Sequence, residues 1–159
     1  VVAVNAKGQA QAADSVSFTG ITWNKVCDGK YKFCAKIAGI MGKESVDCEL
    51  DVDANNPSSY RIKNVYGQGY NLKFKKAKSG STDKEGNAFN YIVVPKFSTG
   101  LTYKTLGTVY MTDAYTLTGS ADYLANGIYA DNSLFISTVY SVSAGNISVL
   151  ENETFVPNN

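Results

Sequence analysis

The chain has 159 residues, a length typical of one domain that can bury a sizeable core. Its residues are 44% hydrophobic and only 18% charged, which excludes a disordered chain. The formal net charge of +1 argues against a dedicated nucleic-acid binder. No run of 18 apolar residues occurs, so we expect no membrane-spanning helix.

Histidine is absent and only three cysteines are present. The lack of histidine excludes Ser-His-Asp and Cys-His nucleophile systems and the zinc motifs that contain histidine. Three cysteines are too few for a four-cysteine zinc or iron–sulfur site within one chain. We therefore expect a protein that is not an enzyme and that carries no cofactor.

The first 14 residues contain Ala10-Gln11-Ala12, which fits the small-x-small pattern of a signal-peptidase site. Two interpretations stay open for residues 1–14: the remnant of an export signal, or a flexible N-terminal segment of the mature protein. We expect residues 15–159 to form a single all-β domain.

Short runs in which apolar and polar residues alternate follow one another along the chain, as in strands with one buried face. The predicted strands cover residues 16–23, 31–37, 46–53, 60–65, 70–76, 89–95, 107–112, 134–142 and 155–156. Residues 78–87 read as a polar loop, and 120–126 can form one helical turn. Many short strands separated by Gly and Asn favour an antiparallel β-sandwich, with a lipocalin-like β-barrel as the alternative.

One predicted strand carries an acidic row on its polar face, Asp47, Glu49, Asp51 and Asp53. Side chains on the same face of a strand lie about 7 Å apart. Such a row can be a solvated face, can bind calcium, or can supply the carboxylate pair of a glycoside hydrolase. We favour a solvated face whose partners on neighbouring strands are Lys32 and Lys36, or Arg61 and Lys63.

Asp51, Asp53 and Asn55 are weak candidates for a metal site, because their spacing matches the start of a calcium loop. The match ends there. The sixth position is Asn56 instead of Gly, and the twelfth is Ile62 instead of Glu. We therefore predict no metal.

The cysteines are placed differently in the alternating pattern. Cys48 shares the apolar phase with Leu50 and is expected to be a buried thiol. Cys27 and Cys34 can face each other if Asp28-Gly29 forms a turn between them, and an exported protein would permit a disulfide there. Spacing alone leaves that bond open, because the two Cα atoms must come within about 7 Å.

Aromatic residues suggest a binding surface. Tyr66-Gly67-Gln68-Gly69-Tyr70 presents two tyrosines on a glycine turn, and Trp23 is the only tryptophan. Trp23, Tyr66 and Tyr70 can together stack against a sugar, since an aromatic face is apolar while its rim can hydrogen-bond. The alternative is that tyrosines fill a half-buried sheet surface and the glycines supply a turn.

Several short strings occur in an order similar to that of known proteins: residues 21–25, 29–31, 60–67, 94–95, 99–100, 107–113, 140–145 and 153–155. In this order the chain resembles uncharacterised secreted or surface-anchored all-β proteins of gut Bacteroides-type bacteria. The resemblance implies export and an all-β fold, and it implies no catalytic residues. A lipid anchor is not implied, because the first cysteine, Cys27, lies within the folded region.

Our first functional hypothesis is a non-enzymatic exported module, periplasmic, secreted or on the cell surface. It would bind a glycan or another cell-envelope component through Trp23, Tyr66 and Tyr70. The alternative is a structural or adhesin module that assembles through sheet edges. A third hypothesis is a glycoside hydrolase that uses two carboxylates of the acidic row.

Overall fold

The computed structural model describes residues 20–159, of which 58% lie in strands and 13% in helices. The fold is therefore all-β, as predicted. The strands are β1 (Trp23–Lys32), β2 (Ser45–Asp53), β3 (Asn56–Lys63), β4 (Leu72–Thr82), β5 (Ala88–Val93), β6 (Phe97–Thr102), β7 (Thr108–Asp113), β8 (Gly127–Tyr129), β9 (Leu134–Val142) and β10 (Gly145–Pro157). The helices are α1 (Ala35–Met41) and α2 (Ala114–Thr118), and Lys104–Leu106 and Ala121–Tyr123 form single 3₁₀ turns.

Eight antiparallel strands close into a barrel in the order β10-β1-β2-β3-β4-β5-β8-β9, with β9 pairing back onto β10. The strand β10 makes this closure because it is long. It pairs with β9 from Gly145 to Phe155, and its last residues also pair with Gly29–Lys32 of β1. The predicted sandwich is not confirmed, because the sheet closes on itself; the alternative, a barrel, is confirmed.

The two remaining strands, β7 and β6, form a branch of the sheet. Strand β9 pairs with β8 through Leu134 and Phe135, then with β7 over residues 138–141. Strand β6 pairs with β7 alone among the described strands. Strand β4 pairs with β5 only from Lys75 onward. Within residues 20–159, the edge of β4 before Lys75 and the outer edge of β6 therefore have no strand partner.

The alternation predicted for β2 is confirmed. Leu50 is fully buried, and Val46 and Cys48 are partly buried and pack against the core. Asp47 is exposed on the opposite face. Asp51 departs from the pattern, because it is buried on the outer side of the barrel.

The interior of the barrel contains a polar cluster around Glu153 of β10. Its carboxylate accepts hydrogen bonds from the hydroxyls of Tyr31 (2.6 Å) and Tyr140 (2.8 Å) and from the backbone N–H of Cys34 (3.0 Å). Burial is the main cause that raises the pKa of Glu153, and these three hydrogen bonds act against it. The cluster joins the first and last strands of the barrel through side chains.

The predicted strand over 31–37 is wrong in its second half, because helix α1 begins at Ala35. Ile37 is the buried residue of this helix, and Gly42 ends it in the left-handed conformation that glycine adopts without strain. The turn predicted within 120–126 matches the 3₁₀ turn Ala121–Tyr123. The loop predicted for residues 78–87 begins later in the structure, because strand β4 continues to Thr82.

The predictions for residues 1–14, including the signal-like Ala10–Ala12, lie outside the described residues, as do Val16 and Phe18. No helix in the range 20–159 is long and apolar enough to cross a membrane.

Candidate functional site

A groove of about 430 Å³ lies where the unpaired edges of β4 and β6 face each other. We call it the β4–β6 groove. Its apolar lining is Ile21, Trp23, Tyr60, Tyr70, Phe74, Pro95 and Phe97. Its polar lining includes Asp53, Ser59, Asn71, Lys73, Lys75, Lys96 and Ser98. Both the volume and the mixture of aromatic and polar groups are typical of ligand sites.

The register of β3 and β4 builds the aromatic part of the groove. Tyr60 and Phe74 are direct cross-strand partners. Their rings stack with centroids 5.3 Å apart and planes 8° apart. Such cross-strand aromatic pairs stabilise a sheet by roughly 0.2–1 kcal/mol. The buried ring of Phe74 therefore holds the ring of Tyr60 in a fixed position at the groove.

Tyr70 lies at one end of the groove, with 44% of its surface exposed. Its ring packs on the backbone of Gly100 in β6, where a Cβ atom would collide with the ring. Gly100 also has a φ of +74°, which favours glycine. The glycine thus allows Tyr70 to lie flat against β6 while the tyrosine remains accessible to solvent.

Trp23 is held by its neighbours on β2 and β3. The guanidinium of Arg61 lies 4.6 Å from the centre of the Trp23 ring. The Nε atom of Arg61 donates a hydrogen bond of 2.7 Å to Oδ2 of Asp51. Arg61 therefore has two fixed contacts, and through it the buried carboxylate positions the tryptophan.

Tyr66, the third predicted ligand-binding residue, lies in the core instead of the groove. It is 5% exposed, and its hydroxyl is 2.8 Å from that of Tyr140. The physical reason is the tight turn: the N–H of Tyr66 bonds the carbonyl of Tyr70 across it. The two tyrosines leave this turn on different sides, so that Tyr70 lines the groove and Tyr66 packs inside.

The acidic row forms ion pairs with neighbouring strands. Arg61 pairs with Asp51, and Lys63 with Glu49 (3.6 Å), as predicted. Lys32 and Lys36 are wrong as partners. Lys25 and Lys30 of β1 contact Glu49 and Asp47 instead, each at 3.4 Å. The register accounts for the change, because Lys30 lies opposite Asp47, whereas Lys32 lies opposite Ser45, before the acidic row begins. Lys36 belongs to helix α1 and not to a strand.

The pKa values of two neighbouring carboxyl groups of the row shift in opposite directions. Burial raises the pKa of Asp51, whereas the interaction with Asp51 is the main cause that lowers that of Glu49. A glycoside hydrolase also needs both of its carboxyl groups at the bound sugar. Asp51 is only 1% exposed, however, and neither carboxyl group lines the β4–β6 groove. The geometry gives this pair no access to a substrate in the groove.

The candidate metal ligands have other partners. Asp51 bonds Arg61, and Oδ1 of Asp53 accepts a hydrogen bond of 2.8 Å from the N–H of Asn55. In the part of the chain that the structure describes, no three Cys, Asp or Glu residues lie close enough together to hold a metal ion.

The three cysteines are free thiols. Cys27 and Cys34 cannot face each other, because Asp28 and Gly29 continue strand β1 instead of forming a turn. At about 3.4 Å per residue, this extended segment separates their Cα atoms by far more than a disulfide spans. Burial raises the pKa of Cys34 to about 11 and that of Cys48 to about 12.

Several groove residues were not identified from the sequence, namely Tyr60, Asn71, Lys73 and Phe97. Strand β6 has a weak strand pattern, because Ser98-Thr99-Gly100 interrupts the apolar residues. The regular alternation of Lys73 and Lys75 with Leu72 and Phe74 was a usable signal for the cationic side of the groove.

Comparison with known protein families, with curated proteins and with solved structures finds no match for this chain.

Proposed function

We propose that the protein is a non-enzymatic binding module that holds an oligosaccharide in the β4–β6 groove. The observation that carries this proposal is the pairing of Trp23 and Tyr70 at one groove. A pyranose ring has apolar C–H faces that stack on aromatic rings. Its hydroxyls need hydrogen-bond partners at the rim of the ring.

Both aromatic residues are positioned before a ligand arrives. Tyr70 lies on Gly100, and Trp23 lies against Arg61. A site that is already ordered loses less conformational entropy on binding, which favours affinity. Tyr60 also lines the groove, and its ring is fixed by stacking on the buried ring of Phe74.

The polar lining supplies what sugar hydroxyls require. Asp53 accepts hydrogen bonds, Asn71 both donates and accepts them, and Ser59 and Ser98 offer hydroxyls. This combination of aromatic faces and neutral or charged hydrogen-bonding groups distinguishes the groove from an apolar cavity. Together with the resemblance to secreted β-proteins, it supports a glycan of the cell envelope as the ligand of an exported protein.

The test is a glycan array, followed by calorimetry on any oligosaccharide that binds. Tyr70→Ala should reduce the affinity by about tenfold or more, since an aromatic stacking contact is removed. Tyr123→Ala is the matched control, because Tyr123 is similarly exposed (40%) and does not line the groove. An array without binders, or equal affinities for both variants, would overturn the proposal.

A second candidate function uses the same place differently. Edges of β4 and β6 without a described strand partner offer backbone hydrogen bonds to an extended peptide segment or to a second copy of the chain. Such pairing would make the protein a structural module that assembles through sheet edges. The edge of β4 before Lys75 and the outer edge of β6 both border the groove, so a segment that pairs there would occupy it.

Hydrogen exchange and solution size separate the two functions. Assembly through the edges predicts a molecular mass that rises with concentration, together with slower amide exchange over 72–74 and 97–102. A constant monomer mass, with unchanged exchange in those residues, would exclude self-assembly through the groove.

A further inference from the structure

The β4–β6 groove carries an uncompensated positive charge. Lys73, Lys75 and Lys96 line it, and Asp53 is the one carboxylate among the described lining residues. None of the three lysines takes part in an ion pair within residues 20–159. The groove therefore has an excess of two positive charges on its described lining.

The neighbouring outer surface behaves differently. Across β1, β2 and β3, the cations Lys25, Arg61 and Lys63 are each within 4 Å of Glu49 or Asp51. The cations on this sheet surface are thus neutralised by carboxylates, whereas the lysines of the adjacent groove have no carboxylate partner within the described residues. A partner that brings negative charge would complete the groove.

The positions of the lysines suit a ligand with separated single charges. Lys73 and Lys75 lie on the same face of β4, about 7 Å apart along the strand. Lys96 lies on the β6 side, with its ammonium 5.3 Å from the centre of the Tyr110 ring. Lysine residues therefore line the groove on both the β4 side and the β6 side.

We infer that the ligand is an acidic oligosaccharide whose charges are uronic-acid carboxylates. This inference rests on the proposed function. A uronic acid carries its carboxylate at the rim of the sugar ring, so one apolar face remains free to stack on Tyr70. The same ring can then place its carboxylate at an ammonium group of the groove.

The test compares an oligogalacturonate with its methyl ester, which has the same shape without the charge. The protein should bind the acid at least about tenfold more tightly than the ester. A roughly tenfold increase in salt concentration should weaken binding of the acid and leave that of the ester unchanged, because salt screens exposed charges. A sulfated oligosaccharide and a polyglutamate peptide serve as further arms.

The double variant Lys73→Gln/Lys96→Gln should bind the acid roughly fivefold to tenfold more weakly, as expected for the loss of two exposed charge pairs. The control is Lys78→Gln/Lys84→Gln. It removes the same charge at exposed lysines that do not line the groove, and it should bind normally.

The failures of the two proposals are distinguishable. Equal affinity for acid and ester, both lost in Tyr70→Ala, overturns the inference and leaves saccharide binding standing. Tighter binding of the sulfated sugar or of polyglutamate than of the oligogalacturonate overturns it also. If no oligosaccharide binds, either here or on the array, both the inference and the proposed function are wrong.

Discussion

The ring of Tyr70 rests on the backbone of Gly100, and the contact leaves no room for a side chain at position 100. This contact connects the turn before β4 with strand β6 across the groove. It is the structural reason why an exposed tyrosine has a defined position at a site where two strand edges separate.

Gly100→Ala should therefore impair the groove beyond its effect on stability. Alanine at a φ of +74° costs about 1 kcal/mol of folding free energy, and its methyl group also displaces the Tyr70 ring. We expect weaker saccharide binding, measured by calorimetry. Gly119→Ala is the control, because its φ is +69° and its Cβ would meet no atom within 4 Å. Equal binding by the two variants would show that the Tyr70–Gly100 contact does not shape the site.

Arg61→Lys should release Trp23 while retaining a positive charge beside Asp51. Lysine lacks the planar guanidinium that stacks on the indole ring, so the free energy of unfolding should fall by about 1 kcal/mol. The tryptophan emission should change as well, and Trp23 is the only tryptophan. Lys63→Gln removes a more exposed ion pair and should change neither quantity appreciably. An Arg61→Lys variant with unaltered emission and stability would contradict the role assigned to Arg61.

Glu153 should make stability depend on pH in a definite direction. Its pKa is raised in the folded protein, mainly by burial, so the folded state holds its proton more tightly than the unfolded state. The stability contributed by the protonated form is complete below about pH 4.5. It is lost as the pH rises through the folded pKa.

Urea denaturation of the wild type and of Glu153→Gln, carried out from below about pH 4.5 upward, measures how the free energy of unfolding depends on Glu153. The free energy of unfolding of the wild type should decline relative to that of the glutamine variant as the pH rises. Glu151→Gln, an exposed neighbour on β10, should follow the wild type. Parallel pH curves for wild type and Glu153→Gln would show that the buried carboxyl does not titrate as described.

The three thiols should differ in reactivity. Cys34 and Cys48 have pKa values of about 11 and 12, raised mainly by burial, and the thiolate is the reactive form. Cys27 is less buried, so iodoacetamide near pH 8 should modify Cys27 first, as read by mass spectrometry of peptides. A disulfide between Cys27 and Cys34 in the native protein would contradict the extended course of β1 between them.

Much of the barrel could be predicted because its strands have one buried face. The alternation of Val46, Cys48 and Leu50 with acidic residues predicts which side chains of β2 face the core. In the structure Val46, Cys48 and Leu50 do face it. Closure could not be read in the same way. It depends on β10 pairing with both β9 and β1, whose contacts are far apart in the sequence, and local alternation carries no information on such partners.

The three aromatic residues singled out in the sequence lie in two different places. Trp23 and Tyr70 line the same groove, whereas Tyr66 packs in the core. The sequence of the glycine turn does not distinguish the inward tyrosine from the outward one, because a tyrosine stands on each side of it. Whether a tyrosine beside a glycine turn faces inward is decided by long-range packing. In this protein Tyr66 faces inward, where its hydroxyl forms a hydrogen bond with the hydroxyl of Tyr140.

The most direct test of saccharide binding in the β4–β6 groove uses the fluorescence of Trp23 during titration with an oligosaccharide that binds. We predict a saturable change in emission and reduced quenching by acrylamide, both with the affinity found by calorimetry and both weakened in Tyr70→Ala. Calorimetric binding with unchanged emission and unchanged quenching of Trp23 would place the ligand elsewhere and contradict saccharide binding in the groove.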